Sequence, residues 1–74
     1  MARGIDKEIR RLGLRLRQLR ERCEITQQEA AERAGLHPVA ITRIENGKQN
    51  VTIAPLVCLS QAYKVSLSAL FEQT

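Results

Sequence analysis

Between Pro38 and Lys48, one side of a short helix would carry Pro38, Val39, Ala40, Thr42, Arg43 and Asn46. These are small or polar groups around a single long cation. Such a face can lie close to a flat polar edge and hydrogen-bond to it. Arg43 has the fork geometry that fits the O6 and N7 acceptors of guanine. Thr42 can bond a base edge or pack its methyl on thymine. Val39 and Ala40 are expected either to touch a thymine methyl or to leave clearance for the backbone. Asn46 and Lys48, just past the helix, suit phosphate contact. His37, next to Pro38, is expected near that surface rather than as a ligand or catalyst.

Other chemistries find little support. The chain has one His and two Cys, Cys23 and Cys58, far apart and without CxxC spacing. That is too few for a closed zinc site of four protein ligands. There is no Cys–His pairing signal, no Gly-rich phosphate loop and no carboxylate cluster beyond solvated helix faces. No enzyme and no cofactor is expected, and both cysteines are expected as buried free thiols. With aromatics at only 3%, a stacking platform for single strands is excluded.

Charge points the same way as the Arg43 face. Residues 1–25 hold eight basic groups, Arg3, Lys7, Arg10, Arg11, Arg15, Arg17, Arg20 and Arg22, against four acidic ones; the remainder is neutral. A net charge of +4 favours a polyanionic partner. No apolar run approaches the roughly 20 residues that span a bilayer, so no membrane partner is expected. The charged start of the chain reads as cytoplasmic rather than exported.

The elements that must hold this face are short helices. Ile5, Ile9, Leu12, Leu16, Leu19 and Cys23 recur at steps of four and three, the stripe of an amphipathic helix. Arg10, Arg11, Arg15, Arg17 and Arg22 lie off that stripe and should face water or phosphate. Gly13 reads as a weak point of about 1 kcal/mol relative to Ala. Thr26-Gln27-Gln28-Glu29 is a capping box, and the second helix stops at Gly35. Pro38 opens the third helix, which ends at Asn46-Gly47. Thr52 and Ser66 are expected to cap a fourth and a fifth. The fold class is therefore all-α: one compact five-helix domain over residues 1–74, with no sheet. The corner between the second and third helices, about residues 27–46, is the unit that seats a helix in a DNA major groove.

Leu12-Gly13, Leu16, Leu19-Arg20, Thr26-Gln27, Ala31, Gly35, Ile41 and Ile44-Glu45-Asn46-Gly47 together resemble the Cro/repressor-type (XRE-like) helix-turn-helix family. Leu56, Leu59, Tyr63, Val65, Leu67 and Leu70-Phe71 are similar to its closing helices, so the resemblance covers about residues 8–72. Ala30 departs from the pattern, which carries a larger Leu there; Leu36 or Ile41 is expected to fill the space. The domain is expected to stand without a sensor or catalytic appendage, and it most resembles the controller proteins of restriction–modification systems. The resemblance implies that Gln27 and nearby groups, including Gln28, hold a phosphate at the helix start. It implies an ion pair between Arg20 and Glu45, and a polymerase sigma-factor contact at Glu32. An antitoxin-type protein that masks a toxin partner is the alternative reading.

Val51, Ile53, Ala54 and Val57 are apolar but lie away from the inward face formed by Leu56, Leu59 and Tyr63. A chain of 74 residues buries only about 60–65% of its unfolded surface, so support from a second copy is expected. Leu67 and Phe71 extend the expected dimer interface, in a region of about residues 51–74. A twofold dimer implies a pseudo-palindromic double-stranded operator.

Overall fold

The computed structural model describes residues 3–72. The last two residues of the expected dimerisation region, and the side chain of Arg3, lie outside the described residues. Four α-helices and one 3-10 helix follow in order: α1 (Arg3–Arg22), α2 (Gln27–Ala34), α3 (Pro38–Glu45), α4 (Ile53–Ala62) and the 3-10 helix Leu67–Phe71.

The expected fifth α-helix is thus a 3-10 turn. Ser66 caps it as anticipated, accepting the Ala69 N–H at 3.3 Å. Its backbone closes with i→i+3 bonds, from Ala69 N to Ser66 O at 3.1 Å and from Glu72 N to Ala69 O at 3.4 Å. Five residues give too few α-type bonds to offset the cost of nucleation, and the tighter helix suits so short a piece.

The capping box at α2 is complete: Thr26 Oγ1 accepts the Glu29 N–H at 3.0 Å and Glu29 accepts the Thr26 N–H at 2.8 Å. That second bond holds the Glu29 carboxyl below its ordinary carboxylate value. Thr52 occupies the cap position of α4 but makes no side-chain capping bond. Pro55 stands three residues on, where the bonded amide would be, and it has no N–H.

The core takes one large, fully buried side chain or more from nearly every element: Leu16 from α1, Ile41 and Ile44 from α3, Leu59 from α4 and Leu70 from the 3-10 helix. α2 contributes Ala30, Ala31 and Ala34, whose small size lets it pack on both α3 and α4. Ala30 and Ile41 are both fully buried, whereas Leu36 is only half-buried. α1 packs on α3 and on the 3-10 helix.

Three expectations for α1 need correction. Its apolar stripe outruns the core: Leu16 and Leu19 are buried, but Ile5 is 60% exposed. Arg15, expected to face water or phosphate, is only 8% exposed and donates from Nε to Ala69 O at 3.0 Å. Gly13 is no weak point, because a Cβ there would strike the Ile44 carbonyl and come within 2.8 Å of the Glu45 carbonyl. Both cysteines are half-buried and free, rather than fully buried. Cys23 donates to Tyr63 O at 3.8 Å. No described helix is long and apolar enough to cross a membrane.

Candidate nucleic-acid interface

Gly35 turns the chain between α2 and α3 with φ 70°, where an L side chain is strained and glycine is not. Its N–H and that of Leu36 bond back to Glu32 O and Ala31 O, closing the C-terminus of α2. His37 then caps α3: Nδ1 accepts the Val39 N–H at 3.1 Å, and Pro38 occupies the first turn. These bonds set the start of α3 two residues after the end of the turn, and Ile41 and Ile44 anchor its inner face.

The opposite face of α3 is open. Val39, Thr42 and Arg43 are exposed and Ala40 is half-buried. Asn46 and Lys48 are exposed just beyond the helix, as is Gln28 at the start of α2, while Gln27 is half-buried. Arg17 is exposed on α1 and pairs with Glu21 at 3.2 Å. Glu32 is exposed on α2. The structure therefore brings Gln27, Thr42 and Glu45 into one bonded cluster, with Arg43, Asn46 and Lys48 on the same element or the loop that follows it.

Glu45 sits on the buried side of α3 and is only 5% exposed. Its Oε2 accepts Arg20 Nε at 2.7 Å and its Oε1 accepts Arg20 Nη2 at 3.1 Å, a bidentate pair between α1 and α3. This hydrogen bonding raises the Arg20 pKa above its ordinary value against the opposing effect of burial. Arg20 Nη1 also donates to Ile25 O at 2.9 Å, which ties down the turn between α1 and α2. Removing either partner would leave a buried charge uncompensated.

Glu45 has a third donor that the sequence did not announce. Gln27 Nε2 donates to Glu45 Oε1 at 3.0 Å, and Gln27 Oε1 accepts the Thr42 hydroxyl at 2.9 Å. The Gln27 carboxamide thus bridges two turns of α3. The Thr42 hydroxyl also lies 3.3 Å from Pro38 O.

Away from α3, Ile53, Ala54 and Phe71 are exposed, whereas Val51, Val57 and Leu67 are half-buried. Val51 and Leu67 pack against the core. Phe71 also lines a groove of about 720 Å³ between the first half of α1 and the 3-10 helix, together with Ile5, Ile9, Leu12 and Leu70. Sequence reasoning missed this groove, because it read Ile5 and Ile9 as one continuous apolar stripe with Leu16 and Leu19.

A family model described as a helix-turn-helix domain matches residues 11–71. No curated protein matches the chain. Among solved structures, the restriction-modification controller protein C.AhdI from Aeromonas hydrophila is similar at 28% identity with a TM-score of 0.86. The match covers 88% of this chain and 98% of that one. It agrees with the resemblance to restriction–modification controllers read from the sequence.

Proposed function

The chain belongs to the helix-turn-helix domain family, and from that premise we propose that it is a sequence-specific regulator of a restriction–modification operon. In this reading a cytoplasmic homodimer binds a pseudo-palindromic operator in double-stranded DNA. It activates its own operon when scarce and represses it when abundant. The observation that carries the reading is the open face of α3, with Val39, Thr42 and Arg43 exposed while Ile41, Ile44 and Glu45 hold the opposite side. The similarity to C.AhdI supports the restriction–modification assignment.

Arg43, Thr42, Val39 and Ala40 are assigned to base edges, and Gln27, Gln28, Asn46, Lys48 and Arg17 to phosphates. Glu32, on the solvent side of α2, is assigned to a sigma-factor contact during activation. An antitoxin-type role is favoured by one observation, the groove beside Phe71, whose apolar floor of Ile5, Ile9, Leu12 and Leu70 is edged by Glu8, Arg11 and Glu72 and offers a surface for a protein partner.

Binding measured against salt and sequence tests the assignment. If a dimer neutralises about six phosphates, log K falls against log salt with a slope near −5. Arg43→Ala costs about 1–3 kcal/mol on the selected operator and little on random DNA. A slope near zero would overturn the reading, whereas equal losses on both DNAs would make Arg43 a backbone contact rather than a base reader.

A further inference from the structure

Glu45 is a carboxylate held by both forks of Arg20, so it can only accept hydrogen bonds. The group that Gln27 turns toward it must therefore be the NH₂, and the amide oxygen must point the other way, at Thr42. An amide oxygen cannot donate. The Thr42 hydroxyl has a single proton, and it goes to Gln27 Oε1 at 2.9 Å, an ordinary O–H···O length, in preference to Pro38 O at 3.3 Å, which lies beyond that range. With Gln27 as its acceptor the proton is committed within the protein, and only oxygen lone pairs remain for anything approaching from solvent.

A threonine is ordinarily indifferent in the major groove, because its hydroxyl can donate or accept. Here that indifference is removed. We propose that the Arg20–Glu45–Gln27 chain makes Thr42 an acceptor-only reader, selecting a base that offers an exocyclic amino group, adenine N6 or cytosine N4. Guanine and thymine present only acceptors at the corresponding positions, O6 and N7 or O4, and would face lone pairs with lone pairs. Gln27 is then a positioning residue for specificity as well as a phosphate neighbour. This inference rests on the DNA-binding reading above and adds the polarity of one contact to it.

Selection of bound sequences from a random duplex pool tests both levels separately. The position whose preference changes in Thr42→Val, which keeps the shape and removes the hydroxyl, is the base that Thr42 faces. There the wild type should favour adenine or cytosine by about five- to tenfold. Gln27→Leu removes the committed acceptor while leaving the Arg20–Glu45 pair, and the preference should fall to about twofold or less, with preferences at other positions kept. Gln27→Lys keeps a donor against Glu45 but offers Thr42 no acceptor, so the preference should move toward guanine and thymine. The inference is overturned by a wild-type preference for guanine or thymine, by no position responding to Thr42→Val, or by both Gln27 variants retaining the wild-type pattern. Selection of no sequence at all by the wild type would instead overturn the DNA-binding reading beneath it.

Discussion

At the scale of single residues, burial separates groups that the composition treats alike. Arg15 and Arg17 are two residues apart on α1, yet Arg17 is exposed beside Glu21 while Arg15 reaches a carbonyl 54 positions away in sequence. No local pattern announces such a partner, which is why the Arg15 contact was illegible. Tyr63 shows the complementary case. It was legible as an inward residue beside Leu56 and Leu59, but its hydroxyl, just past the end of α4, is buried with no hydrogen-bond partner among the described residues, and burial pushes its pKa up. Folding therefore strips water from a polar group and returns nothing to it. Tyr63→Phe should be neutral or raise stability by about 1 kcal/mol, read as an unchanged or higher denaturant midpoint. A loss of more than 1 kcal/mol would mean that the hydroxyl has a partner after all.

At the scale of elements, helix starts were easier to read than helix ends. Thr26, Pro38 and Ser66 carry their signal in the side chain, and each begins a helix as expected. Ends divide into two kinds. All four α-helices close with the same pair of backbone bonds, one reaching back three residues and one reaching back five. Gly35 and Gly47 mark two of these in the sequence. Glu24 at φ 57° and Lys64 at φ 58° mark the others, without a glycine to announce them. There the strain is offset by the next residue, buried Ile25 and half-buried Val65, which the turn delivers to the core. Gly13 carries the opposite lesson, since intrinsic propensity gives the wrong sign for it. In an open helix Gly→Ala stabilises by about 1 kcal/mol. Gly13→Ala should instead destabilise by about 2 kcal/mol or more, because the methyl group meets backbone carbonyls of α3 that cannot rotate away. Thermal unfolding of that single variant distinguishes the two.

At the scale of the whole molecule, the four surplus positive charges of residues 1–25 make that third a poor surface against its own copy, while the neutral remainder exposes Ile53, Ala54 and Phe71. An eight-residue α3 is only about 12 Å long and would cover few base pairs, which is the reason for the dimer proposed above. Ile53→Asp, at a residue already 60% exposed, should leave the fold intact, yield a monomer in sedimentation at micromolar concentration and weaken operator binding by at least tenfold. A variant that still sediments as a dimer would place the interface elsewhere. The approach of α1 to α3 has a consequence for modularity. The corner of α2 and α3 looks like a transplantable part, but its reading helix is seated on the Cα of Gly13 and latched by Arg20, both supplied by α1. Moved alone onto a foreign scaffold, residues 26–46 would bring Glu45 without its counter-charge and α3 without its seat. The smallest portable unit is therefore α1 through α3, and re-targeting is better done by exchanging side chains on α3 than by grafting the corner.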